Sequence, residues 1–377
     1  MAVISFKCPN CDGELIFDPS TQKYKCEYCN SLFSQAELDA MQPATESEKE
    51  AQQTDDLQRT QQTDDSQRMQ QRDSQGTQQG TGGYESEEAV SYTCPSCGAE
   101  IMTDQTTAAT FCYYCHNPVV LGKRLSGKYL PNRVIPFEIT KEAAQKGFLD
   151  YVGKKKFVPK AFFNKKQIES ITGVYFPYWL YDVELEGNMD GSARNIRVWR
   201  AGDIEYTETK HYSVRREGDI TLRNLTENAL QKANVRLASG VMPYRFESMK
   251  EFHMGYLSGF LAERRDIEQK AVQGKMQQEM RESAEKLMRE TITGYNSVSV
   301  NNTFFRPKRE NWSYVLLPVW TITYKGRNGK IYYYSMNGQT GKVCGELPVD
   351  RAKLALTSVI TALIVLAAGL LGGYFVW

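Results

Sequence analysis

A chain of 377 residues, 41% of them hydrophobic, is long enough for one sizeable core with small modules appended, and nine cysteines are an awkward number for a secreted disulfide framework. The formal net charge of +1 hides an asymmetry, because residues 1–121 carry about −12 and the remainder about +13. The start, Met1-Ala-Val-Ile-Ser-Phe-Lys, has no apolar run of secretory-leader length, so a reducing, cytosolic setting is expected.

The first element is a cysteine module, expected over 1–40. Cys8, Cys11, Cys26 and Cys29 form a Cys-x2-Cys, x14, Cys-x2-Cys set, and Cys94, Cys97, Cys112 and Cys115 repeat it with identical spacing over 91–125. The flanks repeat too, as Phe6-Lys-Cys-Pro-Asn-Cys-Asp-Gly-Glu-Leu and Tyr92-Thr-Cys-Pro-Ser-Cys-Gly-Ala-Glu-Ile. Two residues between cysteines let one tight turn present both thiolates, and two such turns complete a tetrahedron at Zn–S distances of about 2.3 Å. Four thiolates leave no position for an activated water, so two structural Zn2+ ions in two small β ribbons are expected. Disulfides fit the cytosolic setting poorly, and an iron centre stays open on spacing alone. Gly98, with Gly13 nearby, suits a turn whose amides point at sulfur, and His116 is read as a bystander. Between the ribbons, 41–90 is rich in Gln, Asp, Glu, Ser and Thr and poor in apolar residues, which reads as a disordered acidic tether.

Past the second ribbon, Gly122-Lys-Arg-Leu-Ser-Gly-Lys-Tyr matches part of a phosphate-binding loop. Tyr129 stands where a small hydroxyl should meet magnesium, and Pro131 obstructs the required helix, so the match is rejected. A globular α+β domain is expected over 126–350, with a fainter duplication. Val134-Ile-Pro-Phe-Glu-Ile-Thr is echoed by Val241-Met-Pro-Tyr-Arg-Phe-Glu, leading into helices over Lys141 to Val152 and Lys250 to Ala262. Val174-Tyr-Phe-Pro-Tyr-Trp is echoed by Val315-Leu-Leu-Pro-Val-Trp, each opening a strand. The cationic, aromatic run Lys154 to Lys166 reads first as a solvated loop and second as a contact for anionic lipid. A further helix is expected over Glu263 to Thr293, with Val272, Met276, Met280, Ala284 and Leu287 on one face. Met336-Asn-Gly-Gln-Thr-Gly-Lys predicts a hairpin through Gly338 and Gly341, and Cys344 reads as a buried thiol in a strand.

The last element, Leu354 to Trp377, has no charged residue. As a helix it reaches roughly 36 Å, enough for a hydrocarbon core of about 30 Å. Arg351 and Lys353 precede it and Tyr374, Phe375 and Trp377 close it, which places the bulk of the chain in the cytoplasm, on a cell membrane crossed once.

The paired Cys-Pro-x-Cys ribbons, the Gly122 to Pro136 stretch, the Pro-x-Trp strands and the Asn337-Gly-Gln-Thr-Gly-Lys turn together resemble a bacterial family of membrane-anchored double zinc-ribbon proteins. Its members carry a transcription-factor-B-type ribbon and are sometimes mislabelled as primosomal helicases. The resemblance implies a link to SPFH-domain and phage-shock envelope-stress systems, in which the cytoplasmic partner is brought to the membrane. The residues themselves suggest an adaptor: residues 91–121 hold no Lys or Arg, which disfavours nucleic acid and favours protein docking. A membrane-tethered nucleic-acid binder using the basic stretch is the alternative. With three histidines, His116, His211 and His253, and no catalytic constellation, no enzyme is expected. The oligomeric state is left open.

Overall fold

The computed structural model describes residues 4–41, 90–112, 114–159, 168–232, 240–325 and 330–376. The tether expected over 41–90, apart from its end residues, and Lys160 to Lys166 of the cationic run lie outside these residues.

The first ribbon is an antiparallel sheet of β1 (Leu15–Asp18), β2 (Lys23–Cys26) and β3 (Leu32–Phe33), followed by helix α1 (Gln35–Met41). The Ser34 amide donates to Glu37 Oε2 at 2.7 Å and the Glu37 amide to Ser34 Oγ at 3.3 Å, a reciprocal cap that starts α1. Strand β2 alternates exposed and buried side chains, as a sheet covered on one face requires. The cover is the body of the protein, for Leu15, Phe17, Tyr24 and Phe33 share one buried cluster with Phe137, Tyr175 and Trp320.

The second ribbon pairs β4 (Val90–Thr93) with β5 (Glu100–Thr103), and β6 (Thr107–Phe111) with β7 (Pro118–Val120). Two short 3-10 turns, Gly122–Leu125 and Gly127–Tyr129, follow where a phosphate loop would need a helix. Arg124 is buried there, its Nε donating to Tyr92 Oη at 2.6 Å and a guanidinium nitrogen to Thr107 O at 2.7 Å. A cation of the phosphate-loop-like motif is thus spent on holding the ribbon.

The body runs β8 (Arg133–Val134), α2 (Lys141–Gly153), β9 (Thr172–Ala201), β10 (Ile204–Asn228), β11 (Lys250–Glu251), β12 (Leu261–Glu263), α3 (Gln269–Glu290), β13 (Ser297–Lys325), β14 (Ile331–Asn337), β15 (Val343–Gly345) and α4 (Arg351–Val376). Its mixed ten-stranded sheet includes β6 and β7, because Ala109 of β6 pairs with Ala262 of β12. The second ribbon and the body therefore share backbone hydrogen bonding.

Strands β9 and β13 lie antiparallel from Thr172 opposite Thr321 to Arg194 opposite Ser297. On its outer side β9 pairs in parallel with β12 at Val174 and Tyr175, then with β10 from Tyr178 onward. Correspondingly, β13 pairs in parallel with β8 at Val315 and Leu316, then with β14 from Val319. Pro177 and Pro318 stand at these two handovers, where the missing N–H leaves no gap in a ladder. Local bonds match as well: Trp179 Nε1 donates to Ile267 O and Trp320 Nε1 to Ile139 O, both at 3.0 Å. The Ala229 amide donates to Pro177 O at 3.1 Å and the Gly338 amide to Pro318 O at 2.8 Å.

The expected helix over Lys250 to Ala262 is replaced by β11, a 3-10 turn at Met254–Leu257, and β12. Here the chain is held against the first ribbon. A Cβ at Gly255 would lie 2.5 Å from Tyr24 Oη, and Gly259 at φ +88° packs on Ile16. The segment that pairs and leads into a helix as Arg133 to Ile139 does is Leu261 to Ile267, not Val241 to Glu247. Helix α3 buries Val272, Met276, Met280, Ala284 and Met288 against the sheet, whereas the expected Leu287 is 44% exposed. A strict spacing of four selects Met288 instead.

Candidate metal centres

Each cysteine pair closes a turn of one design. The amides of Asp12, Asn30, Gly98 and His116 donate to the carbonyls of Cys8, Cys26, Cys94 and Cys112 at 2.9, 3.0, 2.9 and 2.9 Å. The residue after each second cysteine is left-handed, with φ +57° at Asp12, +58° at Asn30, +73° at Gly98 and +59° at His116. Asp and Asn tolerate this conformation by local hydrogen bonding and Gly adopts it without penalty. Gly98 and Asp12 thus take the left-handed place in their turns, and the Gly13 amide that follows is directed at Cys11 Sγ, as expected. Gly13 is needed for space as well: a Cβ there would meet Tyr28 Cδ2 at 2.6 Å and Cys26 Sγ at 3.2 Å. His116 is a turn residue whose imidazole lies outside the converging sulfurs.

These turns bring the eight sequence-predicted ligands into two groups, Cys8, Cys11, Cys26, Cys29 and Cys94, Cys97, Cys112, Cys115, each with all Sγ atoms within 4.8 Å of one another. Sulfur separations are 3.6 Å for Cys8–Cys29, 3.4 Å for Cys11–Cys26, and 3.7 Å for both Cys94–Cys115 and Cys97–Cys112. A tetrahedron with metal–sulfur bonds of about 2.3 Å has edges of about 3.8 Å, whereas a disulfide needs about 2.05 Å. The donor set therefore fits a tetrahedral thiolate-bound metal ion. Cys344, half-buried in β15, belongs to neither group.

Local fields set the thiols apart. The Ser31 hydroxyl, 3.2 Å from Cys29 Sγ, and the Ser31 amide lower Cys29 to about 6. At Cys11 the Gly13 amide favours the thiolate, but the neighbouring sulfurs of Cys26, Cys29 and Cys8 outweigh it and raise the thiol to about 12. In the second group burial works against the Cys112 thiolate, yet the amides of Cys115 and Tyr114 bring it down to about 7, while burial raises Cys115 to about 12. Each group thus offers one thiolate for capture near neutral pH and keeps a thiol that must lose its proton on binding. Metal loading at pH 7.5 is expected to release protons. Below pH 7 and then below pH 6, Cys112 and Cys29 take up protons and affinity falls. Calorimetric titration in buffers of different ionisation enthalpy measures the release; a proton count of zero would contradict the assignment.

The two centres are joined through Glu14, which the sequence did not single out. Its buried Oε1 accepts from Lys7 Nζ at 2.6 Å, from Ser96 Oγ at 2.8 Å and from Asn117 Nδ2 at 3.5 Å. Ser96 lies inside the Cys94–Cys97 turn and Asn117 follows the Cys112–Cys115 turn. Ile4 adds a two-way backbone pair with Val120, at 2.9 and 3.3 Å. The first ribbon also meets the body, where Ser258 Oγ donates to Leu15 O at 2.5 Å and Gln22 Nε2 to Phe137 O at 2.8 Å. The ribbons are therefore docked on each other and on the sheet.

A Bacillus subtilis (strain 168) protein, named as uncharacterized protein YdjG, is 29% identical over 353 residues, spanning 94% of this chain and 92% of its own length. No protein-family model matches the chain, and no solved structure matches it.

Proposed function

We propose that the protein is a non-enzymatic, membrane-anchored zinc-ribbon adaptor that holds a cytoplasmic protein at the membrane. The supporting observation is the position of two closed four-thiolate centres on a body that continues into an unburied apolar helix. Helix α4 has an apolar stretch, Arg351–Gly369, long enough to cross a membrane, and none of it is buried against the rest of the chain. A core helix of a soluble protein would bury one face. Four thiolates, a closed coordination sphere and a cytosolic setting favour zinc in a structural role. The matched handovers at Pro177 and Pro318 support an internal duplication of the body, with β8, α2 and β9 answering to β12, α3 and β13.

Docking falls to the turn tips. Tyr28 and Tyr114 occupy equivalent places in the Cys26–Cys29 and Cys112–Cys115 turns and are 74% and 73% exposed. Exposed tyrosines on rigid turns lose little entropy when a partner covers them. The resemblance adds the partner class, SPFH-domain or phage-shock type. The test is a pull-down of the tagged full chain from detergent-solubilised, nuclease-treated membranes, beside Tyr28→Ala/Tyr114→Ala. A soluble protein retained near stoichiometry by the parent and lost by the variant is expected. Recovery of nucleic acid alone, when nuclease is omitted, would replace the adaptor with a nucleic-acid binder. Deleting residues 354–377 is expected to move the chain from the carbonate-resistant membrane fraction to the soluble one; persistence in membranes would remove the anchor.

A further inference from the structure

The described part of the cationic run is folded against the root of α4. Lys154, Lys155 and Lys156 follow α2 and are exposed. The next two residues fasten the segment to the helix: the Asp350 amide donates to Phe157 O at 2.7 Å, and Lys353 Nζ donates to Val158 O at 3.1 Å. Lys155 Nζ rests 5.6 Å from the centre of the Tyr151 ring, and the Tyr151 hydroxyl is 3.5 Å from Gly345 O, just before α4. The segment that carries the three lysines is thus fastened, through Phe157 and Val158, to the turn that carries Arg351 and Lys353. Asp150, Glu346 and Asp350 are the acidic residues of these two stretches; Asp350 is 3.8 Å from Lys353 Nζ and Glu346 is 3.3 Å from Lys330 Nζ.

A shallow, open groove of about 750 Å³ starts at Phe157 and follows one face of α4 along Leu354, Thr361, Ala362, Val365 and Leu366. Its hydroxyls are turned onto the helix backbone, with Thr361 Oγ1 donating to Thr357 O at 2.8 Å and Ser358 Oγ to Leu354 O at 2.9 Å. The walls left are apolar. From Leu354 to Leu366 the groove descends roughly 18 Å at about 1.5 Å per residue, a depth suited to an extended acyl chain.

We propose that this groove and its cationic rim form a binding site for an anionic phospholipid of the surrounding bilayer. The acyl chain lies along α4 beside Phe157, and the phosphate meets Lys154, Lys155 and Lys156. The cations are fixed to the anchor by backbone hydrogen bonds, so they remain at headgroup level whichever partner the ribbons hold. The site rests on the reading of α4 as a membrane span, and the experiment separates the two.

The full chain is reconstituted in phosphatidylcholine vesicles with a minor share of phosphatidylglycerol. Insertion is scored by flotation after carbonate wash, and retained lipid by native mass spectrometry after mild detergent extraction. Phosphatidylglycerol is expected to be retained far above its share in the vesicle. Lys154→Gln/Lys155→Gln/Lys156→Gln is expected to lower its affinity roughly 100-fold, since each basic residue near an anionic surface contributes about fivefold. The arginine counterpart, Lys154→Arg/Lys155→Arg/Lys156→Arg, is expected to keep the enrichment, and all three chains should hold equal metal. Carbonate-resistant insertion with no phosphatidylglycerol enrichment, or enrichment untouched by the glutamines, overturns the lipid site alone. Extraction by carbonate from neutral and anionic vesicles alike overturns the span and the site with it.

Discussion

Cys26→Ser is expected to leave the protein able to hold one metal ion in place of two and to unfold the first ribbon while the ten-stranded sheet persists. The ribbon's own strands supply four, four and two residues, too few to remain ordered unaided. A structural zinc site contributes about 10–16 kcal/mol at neutral pH, comparable to or above the whole stability of a typical domain, about 5–15 kcal/mol. Cys26 is fully buried, and its amide donates to Ser31 O at 3.0 Å, so the variant loses a ligand and burdens the turn together. Loss of the ribbon uncovers Tyr256, whose ring stands 5.1 Å from Phe17, and frees Glu14 from Ser96. Cys112→Ser should do wider damage. Its turn joins β6 to β7, and β6 is hydrogen-bonded to β12, which borders β9. Metal analysis with hydrogen exchange distinguishes the two. Cys26→Ser should lose protection in 4–41 and in 253–260, and Cys112→Ser also in 107–120 and 261–263. Two bound metal ions and unchanged protection in Cys26→Ser would remove the metal from any structural role.

The ligands were legible because coordination by four thiolates forces cysteine at fixed spacing, and no other residue type substitutes. The turn chemistry was partly legible: Gly98 announces a left-handed backbone, but Asp12 and Asn30 adopt it as readily and His116 does so without an obvious signal. Helices α2 and α3 follow from periodicity, and the long apolar helix α4 from its uncharged length. What the sequence concealed was docking. Glu14 and Glu100 occupy the same place in the two repeats, yet Glu14 is buried between the ribbons while Glu100 is exposed and meets only local partners. Nothing within either repeat distinguishes them, because the difference is made by residues about a hundred positions away. The misplaced helix at Lys250 has the same origin. Local propensity cannot register that Gly255 and Gly259 are required by the approach of Tyr24 and Ile16. The echo of Val134 at Val241 was a likeness of composition, whereas the pairing of β8 and β12 beside the two central strands depends on register, which a sequence pattern of this length does not fix.

Asn337→Ala is expected to destabilise the body by about 3–5 kcal/mol, while Asn228→Ala, at the matching place beside Pro177, costs about 1 kcal/mol. Both asparagines end a strand that pairs with a central one, Asn337 opposite Val319 and Asn228 opposite Tyr178. Both also fold their side chain onto the residue two ahead, for the Gln339 amide donates to Asn337 Oδ1 at 2.8 Å and the Leu230 amide to Asn228 Oδ1 at 3.3 Å. Asn337 does more. Its Oδ1 also accepts from the Thr340 amide at 2.8 Å, and its Nδ2 donates to Val241 O at 2.9 Å and Pro243 O at 3.2 Å, tying the turn to a segment nearly a hundred residues earlier. At 0% exposure none of the orphaned groups beside it gains water readily; Asn228, at 9%, loses chiefly a local loop contact. Thermal unfolding should show a fall of roughly 10 °C for Asn337→Ala. Asn337→Asp sharpens the test, because it keeps the acceptor and places a carboxyl against two carbonyl oxygens. Those oxygens disfavour the charged form and raise its folded-state pKa above the unfolded one. The variant should then be most stable at acid pH and lose stability as pH rises through the folded pKa, opposite to a carboxylate gained in an ion pair. Equal melting of Asn337→Ala and Asn228→Ala would show that the turn is held by the hairpin alone and that the tie to Val241 and Pro243 carries no weight.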